Sequence, residues 1–217
     1  MVDLIDEAKR DFLIKLLATG AMAVMPCACA NLNIKQSPKM VAGRSIYHLH
    51  GLVMVNGVAA NENTMIKPTD SISTSRNSQI IFVVGQDAFL LRENSELYLS
   101  GNAVVSGLRL LTGALLSIFG KSRHLVTTAT AGIDIRGNGL YVESRYDSTY
   151  ICTCYGTTDI SSIVSPDKNE TIVSLHHDEA RIIDADGNIS PAPFMNHNDD
   201  ELKLLQALVG NTAPTAS

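Results

Sequence analysis

An all-β fold, an antiparallel β-sandwich or elongated β-roll with a short C-terminal helix, is the class this sequence predicts. Short stretches of alternating or β-branched residues recur along the chain, separated by turn chemistry at a spacing of about eight to twelve residues. One later segment carries helical periodicity with both end signals. The size is bounded as well: 217 residues, 45% hydrophobic and 18% charged, suit one ordinary domain with flanking segments, and a second large domain does not fit. The formal net charge is −5 and the 17 Lys and Arg are scattered, which excludes the concentrated positive surface that nucleic acid requires.

Residues 1–30 read as a signal segment. Lys9-Arg10-Asp11-Phe12-Leu13-Ile14-Lys15 precedes an apolar run from Leu16 to Met25, and Ala28-Cys29-Ala30 then offers signal peptidase a small-x-small site. The mature chain is expected to begin near Asn31. The basic pair followed by Phe-Leu also resembles a twin-arginine signal, with Lys9 in place of the first arginine. A periplasmic location follows, and the membrane is a partner only if the signal is uncleaved or if Cys27 or Cys29 is lipidated. The residues before either cysteine fit a lipobox poorly. The competing reading is a short buried helix, which Lys15 and Pro26 disfavour; the run is too short for a confident membrane span.

Residues 31–50 are expected as a linker or first strand, and 51–163 as the β domain. Alternation is clearest in Ile80-Ile-Phe-Val-Val84, Ala88-Phe-Leu-Leu91, Glu96-Leu-Tyr-Leu99 and Gly139-Leu-Tyr-Val-Glu143, each burying one face. Turns are expected at Asn56-Gly57, Pro68-Thr-Asp70, Gly85-Gln-Asp87, Ser100-Gly-Asn102 and Arg136-Gly-Asn-Gly139. In the last of these, the glycines are read as φ > 0 positions. Residues 164–217 form a C-terminal extension. There Asp184-Ala-Asp-Gly-Asn188 is a turn that lacks the terminal Glu of a calcium loop, and Pro191-Ala-Pro193 is extended. A short helix follows, capped by Asn198 or Asp199 and stopped by Gly210. Its stripe of Leu202, Leu205, Leu208 and Val209 docks on the β core or on a partner.

The run Val126-Thr-Thr-Ala-Thr-Ala-Gly-Ile-Asp-Ile-Arg-Gly-Asn-Gly-Leu-Tyr-Val142 resembles the core signature of a FecR domain. The resemblance extends through Gly51-Leu-Val-Met-Val-Asn-Gly57, Ile66-Lys-Pro-Thr-Asp70-Ser-Ile-Ser-Thr74, Leu97-Tyr-Leu99 and Leu110-Leu-Thr-Gly113-Ala-Leu-Leu-Ser-Ile-Phe119, and covers roughly Gly51 to Gly156. It implies an extracytoplasmic binding or signalling module and no enzyme. Asn138 stands where such sequences usually have Thr, which a left-handed backbone tolerates. Regulators of that family carry a cytoplasmic anti-sigma domain and a membrane span. Only Met1 to Arg10 precedes the apolar run here, so the anti-sigma role is not expected to carry over.

Chemistry is concentrated in Cys152-Thr-Cys154 and in His176-His177, about twenty residues on. Two cysteines at i and i+2 on a strand share a face, with Cα atoms about 6.5–7 Å apart, the outer limit for a disulfide. Thiols and imidazoles are ligands for zinc, copper(I) or iron, so a transition-metal or haem site is the candidate, with Cys152, Cys154, His176 and His177 as its residues. Adjacent residues on a strand face opposite ways, so only one of the two histidines joins the cysteines. The other readings are a pair of buried thiols packing as small hydrophobes and a redox pair. His48, His50 and His124 read as ordinary surface or core histidines; His197 lies in Met195-Asn196-His197-Asn198-Asp199, ahead of the helix. There is no nucleophile elbow, His-Glu-x-x-His or P-loop. The expected protein is a non-catalytic, exported binding or sensory module whose partner is an envelope protein or a small ligand, the alternative being a metal- or haem-binding periplasmic protein.

Overall fold

The computed structural model describes residues 41–101, 105–136 and 139–210, with the side chains at 105 and 106 excepted. The signal segment with Cys27 and Cys29, and the Gly137-Asn138 centre of the signature turn, lie outside the described residues. Within them the chain forms fifteen strands and one helix. The first seven strands are β1 (Ile46–His50), β2 (Val53–Val55), β3 (Val58–Ala59), β4 (Ser71–Thr74), β5 (Gln79–Val84), β6 (Asp87–Leu91) and β7 (Glu96–Gly101). There follow β8 (Val105–Ile118), β9 (Arg123–Thr127), β10 (Ala131–Arg136), β11 (Gly139–Ser144) and β12 (Ser148–Ser162). The last are β13 (Asn169–Ser174), β14 (Glu179–Asp184) and β15 (Ile189–Ala192), and then α1 (Asp199–Val209). The all-β class with a short C-terminal helix is the one observed. Among the described residues, no helix is long and apolar enough to cross a membrane.

The strands pair into two sheets. The first runs β1-β5-β6-β8-β11-β12-β14-β15 and the second β3-β2-β4-β7-β8-β9-β10-β12-β13, antiparallel except for β8 beside β9. The long strands β8 and β12 belong to both. Each passes from one sheet to the other near a glycine at positive φ, Gly113 at 89° and Gly156 at 97°, a backbone state open to glycine at little cost. At Gly113 space is also decisive, since a Cβ there would lie 2.5 Å from Ser95 Cα. Alternate residues of both sheets meet in one core. Phe82, Phe89, Leu115, Val142 and Ile151 come from the first sheet, and Ile72, Leu97, Leu110, Val126, Ile133 and Ile160 from the second.

Local sequence explains the turns. Asn56 and Gly57 both have positive φ (51° and 76°) in the two-residue β2–β3 hairpin, as a type I′ turn demands. The Asn56 side chain also donates to Asp70 Oδ1 (2.8 Å) and accepts from the Ser71 amide (2.9 Å), tying that hairpin to the Pro68-Thr-Asp70 turn. In the signature run, Thr128 and Thr130 both reach Thr149 Oγ1 at 2.7 Å within the interior. Residue 139 corrects an expectation: Gly139 is absent from the positive-φ positions. Its missing side chain makes room instead, because a Cβ there would sit 2.6 Å from Tyr155 Cε1 and 3.2 Å from Cys154 Cβ. Of the stretch expected as a linker or first strand, residues 46–50 form β1, paired with β5. Beyond Ile163 the chain adds β13, β14 and β15 to the same two sheets.

Helix α1 has the predicted ends. Asn198 caps it, accepting from the Glu201 amide (3.0 Å) while Glu201 accepts from the Asn198 amide (3.2 Å), and Gly210 closes it at φ 69°. Leu202, Leu205 and Leu208 are buried, and α1 packs on β6 and β8. It covers the face of the first sheet that points away from the core. Facing partners across the ladders share a face, and here they form one row: Ile81, Leu90, Leu116, Tyr141, Cys152, Ala180. Cys152 thus belongs to the layer under the C-terminal segment.

Candidate metal centre

Three segments converge at the end of that row. β12 supplies Cys152 and Cys154, the turn between β13 and β14 supplies His177, and the segment between β15 and α1 supplies His197. The pairing of β12 with β11 slips between Leu140↔Thr153 and Gly139↔Tyr155, so Cys154 is the extra residue of a bulge. A bulge re-aims the side chain it carries, and Gly139 opposite leaves the room it needs. The ligand atoms of Cys152, Cys154, His177 and His197 all lie within 4.8 Å of one another.

The turn that delivers His177 is built by Asp178. Its carboxylate accepts from Ser174 Oγ and from the amides of Leu175 (3.1 Å) and His176 (3.3 Å). The Ser174 hydroxyl above all, helped by backbone amides, holds this carboxyl below its ordinary value. His177 takes a left-handed conformation, φ 51°, and its amide donates to Cys154 O at 2.9 Å. A non-glycine residue in that region costs free energy that the surroundings must offset.

Here the structure corrects the expected geometry. His176 and His177 lie in a turn, so strand alternation does not set their directions. One of them does join the cysteines, and it is His177. His176 is half-exposed and reaches outward to Asp199 Oδ2 at 3.3 Å. The fourth member, His197, is not among the residues the sequence singles out. It is 43 residues from Cys154 in irregular chain, and its sequence signal is only a histidine beside a helix cap. Among the remaining histidines, His124 is fully buried and holds Asp87 Oδ2 at 2.8 Å, while Asp87 Oδ1 accepts from the Gly120 amide. Both roles are structural.

The hydrogen bonds assign the ring tautomers. His197 Nδ1 faces the Met195 carbonyl at 2.8 Å, an acceptor with no proton to give, so Nδ1–H donates and Nε2 presents its lone pair. His177 Nε2–H donates to Asp199 Oδ1 at 3.1 Å, which leaves Nδ1 facing inward. Those two inward nitrogens are 3.1 Å apart. Cys154 Sγ is 3.5 Å from His197 Nε2, and Cys152 Sγ is 3.9 Å from His177 Nδ1. A tetrahedral zinc with Zn–S of about 2.3 Å and Zn–N of about 2.05 Å requires edges of about 3.6 Å for S···N and about 3.3 Å for N···N. The two S···N spacings bracket the first edge, and the N···N spacing lies just under the second.

The surroundings are apolar and close. His197 stacks on Tyr141 with ring centres 4.3 Å apart, and Phe194 lies 4.6 Å from His197 and 4.7 Å from His177. Cys152 and Cys154 are fully buried and reduced. The hydrogen bond from Cys154, then those from His177 and His197, outweigh burial and bring the Cys152 thiol down to about 4, while burial and the neighbouring Cys152 push Cys154 up. One thiolate beside a second thiol is the arrangement of a site ready to exchange protons for a cation. Two thiolates would balance a dication, leaving no net charge in the buried site.

No family model matches the chain, and neither does any curated protein. Two crystal structures of a "putative anti-sigma factor" from Parabacteroides distasonis ATCC 8503, at 1.65 Å and 2.50 Å, are similar to part of it. Each is 11% identical, with a TM-score of 0.49, over 57% of this chain and 59% of that one. The chain therefore spans less than two thirds of the protein it matches.

Proposed function

We propose that this chain is a non-catalytic metal-binding β module whose Cys152, Cys154, His177 and His197 hold one zinc ion. The carrying observation is the convergence of two sulfurs and two lone-pair nitrogens within 4.8 Å of one another, with both outer ring nitrogens already committed to oxygen acceptors. A carboxylate or carbonyl behind a ligating histidine is the usual outer shell of such a centre. Four protein ligands close the coordination sphere and leave no position for a substrate, which marks a structural and not a catalytic ion. Haem suits the site poorly, since iron in a macrocycle takes only axial protein ligands, whereas here four donors lie within 4.8 Å of one another. Metal analysis of the native protein tests the reading. One zinc per chain, lost in Cys152→Ser and in His197→Ala, supports it; metal-free native protein with both thiols titratable contradicts it.

The biological role we infer is that of an exported binding or signalling unit of the cell envelope. Lys9-Arg10, the apolar run and Ala28-Cys29-Ala30 support export, and the FecR-like run supports the module type. A closed metal centre suits the oxidising periplasm, where free thiols on one face risk oxidation and wrong pairing. Mass spectrometry of the envelope-associated protein should find a mature start near Asn31 or an acylated cysteine. An intact Met1 on soluble cytoplasmic protein would overturn the export part.

A further inference from the structure

We propose that the metal centre is also a latch, fixing the segment from Phe194 to Val209 as a lid over the outer face of the first sheet and releasing it when the ion leaves. This rests on the zinc reading above and goes one step beyond it. Three of the four ligands stay together without the ion. Cys152 and Cys154 share one strand. His177 belongs to the turn that opens β14, and the β12–β14 ladder pairs Cys152 with Ala180 and Thr153 with Glu179. Backbone hydrogen bonds, with the His177 amide on Cys154 O, hold these three regardless of any ion. His197 is different. It lies past β15, in chain that belongs to neither sheet, and the coordination bond would be its firmest tie to the other three.

What else holds the lid is confined to a few side-chain contacts and the helix stripe. Tyr150 OH donates to the Pro193 carbonyl (3.0 Å) and accepts from the Met195 amide (3.2 Å). Asn196 donates to Glu143 (2.6 Å), and Arg92 donates to the Asn196 carbonyl and to both Glu201 oxygens, each at 2.9 Å. Asp199, the first residue of α1, accepts from His177 and lies against His176. The ion therefore sits at the hinge end of the lid and sets the angle at which α1 leaves the sheet. An isolated helix of 11 residues is marginal in water, so whenever α1 lifts off the sheet it unwinds as well, and its backbone amides become open to exchange. Beneath it lie Leu90, Leu116 and Tyr141, a layer separate from the main core. The main core lies on the other face of the sheet, so opening the lid leaves it intact.

Hydrogen exchange of the full chain, read by mass spectrometry with and without zinc and after chelation, tests the latch. Metal content is measured on the same samples. The result expected is one zinc bound and, on its removal, at least about tenfold faster exchange in peptides covering 195–209, with β6, β8 and β10 unchanged. In His197→Gln, zinc supplied at a concentration that saturates the three remaining ligands should no longer slow exchange in α1. Zinc bound but exchange in 195–209 unaffected by its removal overturns the latch and leaves the metal site standing. Deprotection of the whole β core overturns it too, since the ion would then hold the fold and not the lid. No zinc bound at all removes the metal reading and the latch with it.

Discussion

His176 and His177, adjacent in sequence, part ways because a turn organised by Asp178 sends one ring outward and swings the other into the site. Substituting them should therefore give unequal results. His176→Ala should leave zinc stoichiometry intact, while His177→Ala should remove the ion, as equilibrium dialysis of the two variants would show. Asp199→Asn tests the outer shell: weakening the acceptor behind His177 Nε2 should lower zinc affinity by about 10- to 100-fold without removing a ligand. At this scale the sequence is informative about Cys152, Cys154 and the rule that one histidine of the pair joins them. Strand alternation is the wrong reason for that rule, because a turn lies where a strand is expected. His197 is not legible. Its partnership depends on a chain reversal after β15 and on stacking against Tyr141, which leave no local pattern.

Elements are more legible than contacts. Helix α1 can be read from its cap and its stop because both are local: an Asn198 side chain and a left-handed Gly210. The hairpin turns at Asn56-Gly57 and Gly85-Gln86 are legible for the same reason. The passage of β8 and β12 between sheets is not, since it depends on which strands lie to either side of Gly113 and Gly156. Nor is the bulge at Cys154, which exists only relative to β11. Leu205 is fully buried on the sheet-facing side of the lid, and Leu205→Ala should cost about 2–5 kcal/mol in denaturant unfolding if the site cannot collapse. Gly139→Ala places a methyl against Tyr155 and Cys154. It should lower both thermal stability and zinc affinity, and a Gly139→Ala variant equal to the parent in both would show that the bulge does not shape the site.

The whole molecule joins an all-β body, a Cys-His centre at one end of its outer layer and a C-terminal lid. The centre also links the molecule to pH. With Cys152 a thiolate and both inward ring nitrogens presenting lone pairs, the metal-free set holds one proton that coordination displaces, the one on Cys154. Zinc uptake near neutral pH should thus release about one proton per ion, and affinity should fall as pH falls, by up to about tenfold per unit. Titration calorimetry in buffers of different ionisation enthalpy measures that number directly. The lid, the outer shell and the proton release all depend on the ion. Elemental analysis of the native protein, combined with thiol counting under denaturing conditions, is the decisive measurement: one zinc per chain with Cys152 and Cys154 both reduced is the expected result, and metal-free protein whose melting temperature is indifferent to zinc and to chelator would refute the site.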